Sequence, residues 1–218
     1  MTSLPHRVLR ALDRFNAAHP WDHNAHYHPW LLRRLPRRFG RALDVGCGTG
    51  DLARSLAARA GEVRGVDADP VIVSAARRLT RPGTPVTYTV ADAPHGLPEG
   101  PFDVITCVAV LHHLPLTEAL AAFRRRLAPG GTLVVVGLYR ARTAGDQLLG
   151  VVAAPANAAV GWVKARGRAV APPVAMTAVT RPAAMTFAGI RREAGTALPG
   201  ARVRRRLFWR YTLVWRHP

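Results

Sequence analysis

Leu43-Asp44-Val45-Gly46-Cys47-Gly48-Thr49-Gly50 decides how the rest of this 218-residue chain is read. The apolar run from Ala42 to Val45 predicts a short buried strand, and the alternate glycines behind it predict a tight turn. Leu52, Ala53, Leu56, Ala57 and Ala60 then recur at helical spacing as far as Gly61, which is expected to end the helix. A strand that turns sharply into a helix brings free N–H groups to one point, and glycine lets a ligand approach that backbone without meeting a Cβ atom. The spacing is Gly-x-Gly-x-Gly rather than the Gly-x-Gly-x-x-Gly of dinucleotide-binding turns, and Asp44 stands just before it. A carboxylate in that place repels a pyrophosphate and favours a cation.

Outward from this turn, short apolar runs alternate with amphipathic stretches, the pattern of a parallel sheet flanked by helices. Val63 to Val66 reads as a second strand ending at Asp67, and Pro70 opens a helix at its first position. Val86 to Val90 is a third strand running towards Asp92, and Phe102 to Val110 a fourth. Thr117 is expected to cap a helix that passes Phe123 and Leu127 and stops at Gly130 and Gly131, before a fifth strand from Thr132 to Leu138. The rhythm then changes. Leu148 to Val163 is apolar but short for a membrane span and carries Pro155 and Asn157, which suits a helical lid or an interfacial helix. Pro172 and Pro173 punctuate a loop, and Phe187 to Ala194 predicts a further helix. Ala201 to Leu207 and Trp209 to Trp215 predict a closing antiparallel strand pair. Upstream, Trp21 to His28 packs aromatics, imidazoles and amides into a segment too polar for a core helix, which suits either a flap over a ligand or a surface loop with polar decoration.

In register from about residue 40 to 138, these residues resemble the class I S-adenosylmethionine-dependent methyltransferases. Asp67 matches the family's acid that accepts both ribose hydroxyls, and Asp92, in Val90-Ala91-Asp92-Ala93, the acid that accepts from the adenine amino group. Phe102-Asp103-Val104-Ile105, Leu111-His112-His113-Leu114 and Leu127-Ala128-Pro129-Gly130-Gly131-Thr132-Leu133 resemble the fourth and fifth strand segments of many small-molecule members. The resemblance implies one α/β domain, Rossmann-like, with a mostly parallel seven-stranded sheet, a C-terminal antiparallel pair and helices on both faces. Residues 1–41 would form an N-terminal cap segment, 42–138 the cofactor-binding core, 139–185 an insertion or lid, and 186–218 the closing helix and strand pair. It also implies S-adenosyl-L-methionine as cofactor, held by Tyr27, Asp44, Gly46, Cys47, Gly48, Gly50, Asp67, Ala68, Asp92, Ala93 and Val108. Tyr27 is the candidate for the methionine carboxylate. His112 and His113, just past the fourth strand, are candidate general bases where an acceptor would sit.

Several chemistries lack their residues. No Asn-Pro-Pro-Tyr-like element follows the fourth strand, where Cys107-Val108-Ala109-Val110 stands, and a single Lys, Lys164, excludes a Lys-Asp-Lys-Glu tetrad. The four His from His19 to His28 have a single acid among them, Asp22, and no Cys, which does not match the pattern of a catalytic zinc site, so no metal is expected. What remains is methylation of a small, apolar organic acceptor at O, N or C, with a tRNA methyltransferase or a non-catalytic cofactor-binding relative as alternatives. The formal charge of +18 bears on that choice. Residues 1–41 hold eight Arg against two acids and residues 181–218 nine against one, so the basic charge gathers at the ends. Such a rim suits phosphates, an anionic substrate or peripheral contact with an acidic membrane surface. Of the 31 basic residues 30 are Arg, which the codon bias of a GC-rich genome would also produce. Two cysteines, Cys47 and Cys107, are too few for a disulfide framework, and Met1 to Arg14 has no apolar signal run, so a reducing cytoplasm is expected.

Overall fold

In the computed structural model, which describes residues 14–16, 18, 19, 21–166, 168 and 181–218, the apolar runs become the strands of one sheet. In chain order the elements are α1 (His23–Leu32), β1 (Phe39–Val45), α2 (Asp51–Ala57), β2 (Ala60–Asp67), α3 (Pro70–Leu79), β3 (Val86–Val90), β4 (Phe102–Val108), α4 (Leu116–Arg126), β5 (Leu127–Leu138), α5 (Ala144–Lys164), α6 (Phe187–Ala197), β6 (Arg202–Arg206) and β7 (Arg210–Arg216). The sheet runs β3-β2-β1-β4-β5-β7-β6. The strands from β3 to β5 pair in parallel, and β7 lies antiparallel to both β5 and β6. Successive strands move outward from β1 to β3 and then return to its other side at β4, so a crevice opens beyond the carboxyl ends of β1 and β4.

The pleat sorts the core into two layers, because neighbouring residues of a strand face opposite sides. Leu43 and Val45, Ile105 and Cys107, and Leu133 and Val135 pack with Leu120 and Phe123 of α4 and Ile190 of α6. Ala42, Val104, Val134 and Val136 pack with Leu56 of α2, Val73 of α3, Leu31 of α1 and Ala153 of α5. The inner strands are therefore covered on both faces, which is why they read as unbroken apolar runs.

Pro70 opens α3 as the sequence predicts, and local chemistry fixes the starts of α3 and α5. Asp69 accepts hydrogen bonds from the N–H groups of Val71 and Ile72 ahead of Pro70, and Thr143 and Asp146 form a capping box for α5. Four expectations are corrected. Gly61 does not end α2; the helix stops at Ala57, and Gly61 lies inside β2, where a Cβ atom would sit a tight 3.1 Å from the Gly40 carbonyl oxygen. Thr117 is not a cap: α4 begins at Leu116 behind Pro115, and the Thr117 hydroxyl donates to Glu193 of α6. Gly130 and Gly131 do not close α4, which ends at Arg126; they bulge out of β5 while Phe102 pairs with Leu127 and Val104 with Thr132. The Trp21–His28 segment is not too polar to pack as a helix. Asp22 caps α1 through the N–H groups of Asn24 and Ala25, and Trp21 and Tyr27 are buried.

The end of β1 opposite the crevice is tied down by Asp103, whose Oδ2 accepts from the N–H groups of Gly40 at 2.8 Å and Arg41 at 2.9 Å. Replacing it with Ala is expected to cost about 1 to 3 kcal/mol, the range for charge-assisted hydrogen bonds lost at one acceptor. Calorimetry would then show a lower Tm, by about 2 to 4 °C per kcal/mol for a chain of this length. An unchanged Tm would mean that the strand register holds without it.

Candidate functional site

The loop after β1 is pressed against the sheet by its own backbone. The Val66 carbonyl accepts from the N–H groups of Gly46 at 2.8 Å and Cys47 at 2.9 Å, and the Gly48 N–H donates to Asp67 Oδ2 at 3.0 Å. All three glycines adopt the left-handed region, with φ of 69°, 52° and 81° at Gly46, Gly48 and Gly50. Their surroundings differ. A Cβ atom on Gly46 would strike the Val110 side chain and one on Gly50 the Tyr88 hydroxyl, whereas one on Gly48 would meet nothing within 4 Å. Gly46 and Gly50 thus admit neighbours of the fold, and Gly48 alone faces open space.

Asp44, 2% exposed, pairs with Gly65 on β2 and Thr106 on β4. Its Oδ1 accepts from the Thr106 hydroxyl at 2.7 Å, and its Oδ2 has no partner among the described residues. Burial lifts this carboxyl to about 7, against the Thr106 hydrogen bond and with the help of nearby Asp67. A buried, half-satisfied carboxyl at the mouth of a crevice calls for a positive partner. Asp67 ends β2 with Oδ2 on Gly48 and Oδ1 on the Asp69 N–H at 3.1 Å, so it organises the loop and keeps one lone pair per oxygen for a further donor. Asp92 and Ala68 are exposed beyond β3 and β2, Ala93 and Val108 half-buried. These residues fit a ligand with a cationic end near Asp44 and a diol near Asp67, laid over Gly48.

Comparison with known proteins agrees. Residues 43–135 match the model of a methyltransferase domain. An uncharacterized methyltransferase of Mycobacterium tuberculosis is 34% identical over 202 residues, covering 91% of this chain and 98% of the relative. The ubiquinone biosynthesis O-methyltransferase of Thiobacillus denitrificans is 34% identical over 148 residues, 62% of this chain and 63% of that protein. Among solved structures, magnesium protoporphyrin IX methyltransferase from Synechocystis, with bound S-adenosylhomocysteine, superposes with a TM-score of 0.57 over 100% of this chain and 89% of its own, at 17% identity. The chain belongs to the class I S-adenosylmethionine-dependent methyltransferases.

The methyltransferase keeps its other candidate residues in three places. The Tyr27 hydroxyl donates to the Leu207 carbonyl at 2.7 Å, and burial holds its pKa up at about 12, so contact with a ligand carboxylate would require exchanging that bond. Cys47 is buried against the loop, with its thiol pushed upwards by burial, and is neutral. His112 and His113 form a single helical turn beyond β4, their rings 3.9 Å apart. Burial, then His113 and Arg210, lowers His112 to about 4; the nearby Arg181 backbone opposes this without reaching hydrogen-bond geometry. At neutral pH His112 is therefore an uncharged imidazole with both nitrogens unpartnered among the described residues.

His112 lines a cavity of about 100 Å³ together with Leu111, Leu114, Leu138, Met185, Ile190 and Tyr211. The Trp21–His28 segment and α5 of the insertion meet directly: the Trp21 indole N–H donates to Asn157 Oδ1 at 2.9 Å, and His23 Nε2 lies 2.6 Å from the same oxygen. Among the described residues of the insertion, Ala183 to Met185 line the cavity. Sequence reasoning missed Thr106, Val110 and Tyr88. Thr106 alone left a signal, as the one hydroxyl inside the run Val104-Ile105-Thr106-Cys107.

Two outcomes are expected. Gly48→Ala places a methyl in the open space, so calorimetric titration with S-adenosylhomocysteine should show binding weakened by about tenfold, or about 1.4 kcal/mol, in a folded protein. Gly46→Ala and Gly50→Ala should lower Tm further than Gly48→Ala, because they add collisions with Val110 and Tyr88 to the left-handed strain that all three share; unchanged binding by Gly48→Ala would place the ligand elsewhere. For Asp44, the folded state keeps a proton that the unfolded state loses near pH 3.8, so this group withdraws stability as pH rises from there to about 7. The Tm of Asp44→Asn minus that of the wild type, without cofactor, should therefore grow across that window and level off above it. A difference independent of pH would mean that Asp44 does not titrate there.

Proposed function

We propose that this protein, acting as one domain, transfers the methyl group of S-adenosyl-L-methionine to a small, apolar organic acceptor. Two observations carry the reading: the buried Asp44 Oδ2 without a partner among the described residues at the carboxyl end of β1, and a largely apolar cavity past β4 that is lined by a neutral His112. When bound, the cofactor supplies an electrophilic methyl on a sulfonium. The chain supplies the rest. Asp44 offers negative charge to the cationic methionine end, Asp67 offers its remaining lone pairs to the ribose hydroxyls, and Asp92 reaches the adenine edge. Gly46, Cys47, Gly48 and Gly50 shape the loop beneath, with Ala68, Ala93 and Val108 as walls.

On the acceptor side, Leu111, Leu114, Met185 and Ile190 exclude water and hold an apolar molecule, and a free ring nitrogen of His112 accepts the hydrogen bond, then the proton, of an acceptor hydroxyl. A base of such low pKa accepts weakly, so positioning in line with the methyl group does most of the work. Likeness to the ubiquinone biosynthesis O-methyltransferases supports a hydroxylated apolar acceptor, although the chain covers 63% of the length of the Thiobacillus protein.

The test separates the two halves of the site. Asp67→Ala should weaken cofactor binding by about ten- to a hundredfold, as expected for charge-assisted hydrogen bonds of about 1.5 to 3 kcal/mol. His112→Ala should leave that affinity unchanged and reduce turnover. With radiolabelled cofactor and fractionated extract, label should enter organic-soluble material. Label entering RNA instead would replace this reading with that of a tRNA methyltransferase.

A further inference from the structure

Helix α5 has one buried and one bare side. Ala153, Asn157 and Gly161 face inward onto the core and the Trp21 segment. Leu148, Val151, Pro155, Ala159, Trp162 and Val163 recur at helical spacing on the outer side, and all are exposed, Val151 at 70% and Trp162 at 51%. Beside them the β6–β7 turn adds Leu207 and Trp209. Phe208 and Trp209 both hold φ near the left-handed value, 59° and 57°, an uncommon conformation for aromatic residues. It buries Phe208 against Trp21, with ring centroids 4.9 Å apart, and leaves Trp209 40% exposed next to Gly150 of α5. Of the ten large apolar side chains exposed among the described residues, six belong to this patch.

Charge frames it. Arg140 and Arg142 precede the helix, Lys164 ends it, and Arg166 and Arg168 follow, all exposed. The only acid between residues 140 and 168 is Asp146, which is buried, caps the helix and pairs with Arg205 at 3.2 Å. The outer face of α5 thus combines an apolar centre, two half-exposed indoles and basic ends, with no exposed carboxylate.

We propose that this face docks the protein on an anionic lipid bilayer. At 21 residues α5 is about 30 Å long, yet no helix among the described residues is long and apolar enough to cross a membrane. It lies along the surface instead, with the aliphatic stripe at the headgroup boundary, Trp162 and Trp209 at the interface, and the basic ends on lipid phosphates. A second copy of the chain fits less well, because both ends of α5 are basic and either orientation of a helix pair sets like charges together. Nucleic acid finds no phosphate ligand along the apolar centre. The docking is independent of which acceptor is methylated.

The test uses full-length protein in flotation with vesicles of phosphatidylcholine alone and of phosphatidylcholine mixed with phosphatidylglycerol. The wild type should float with the mixed vesicles about tenfold more than with the neutral ones, and less as salt is raised. The double variant Val151→Asp, Trp162→Asp should lose flotation while keeping its Tm and its affinity for S-adenosylhomocysteine; Arg166→Glu with Arg168→Glu, which leaves the apolar stripe intact, should weaken it. Absence of wild-type flotation, or flotation unaffected by both double variants, overturns the proposal. So does a dimer in sedimentation equilibrium, or a tRNA complex, that the aspartate variant abolishes without any vesicle present.

Discussion

A carboxylate buried in the middle of a parallel sheet is the constraint around which this protein is arranged. Asp44 lies between β2 and β4, opposite Gly65 and Thr106, at the point where the strand order reverses. One oxygen is satisfied by a hydroxyl and the other is left without a partner among the described residues, so the folded chain carries an electrostatic cost that a cation beside it would relieve. Around it the packing is correspondingly strict. Gly65 has no room for a side chain because Tyr88 and Cys47 fill the space, and Gly46 and Gly50 yield to Val110 and Tyr88. The loop is clamped at both ends, and its middle glycine is left open.

Asp67 couples this loop to the neighbouring strand. A single carboxylate both holds the Gly48 amide and caps the turn at Asp69, so the shape of the crevice floor and the position of the ribose candidate are one feature. This differs from the usual picture of a free acid waiting for a diol. Preorganisation of that kind lowers the entropy cost of binding, because the acceptor oxygens are already held in place.

The two faces of the sheet divide the remaining work. On the side of α4 and α6 the core loosens at the strand ends into the cavity lined by His112 and Met185. On the other side, Trp21, His23, His26 and Phe208 stack edge to face and fasten α1 to the closing hairpin, with Asn157 joining them to α5. That aromatic cluster gives α5 its seat. It also explains why a segment rich in imidazoles and amides folds as a capped helix: its polar groups find partners on elements more than a hundred residues away.

The sequence by itself determined the alternation of strands and helices, the class of the fold, the closing antiparallel pair and the acids at the ends of β1, β2 and β3. These follow from local periodicity and from glycine and carboxylate chemistry, which each stretch of chain carries within itself. Helix ends were legible where the signal is local, as at Pro70, and misread where a long-range contact sets them. Gly61 became part of a strand because Gly40 approaches it, and Gly130 and Gly131 became a bulge because β4 draws Leu127 into the sheet. Only the tertiary structure decided which glycine is open, that Asp44 is half-satisfied, and that a cavity opens beside His112. Each of these depends on side chains such as Val110, Thr106 and Met185 that meet their partners through the fold, and no spacing along the chain encodes such an encounter.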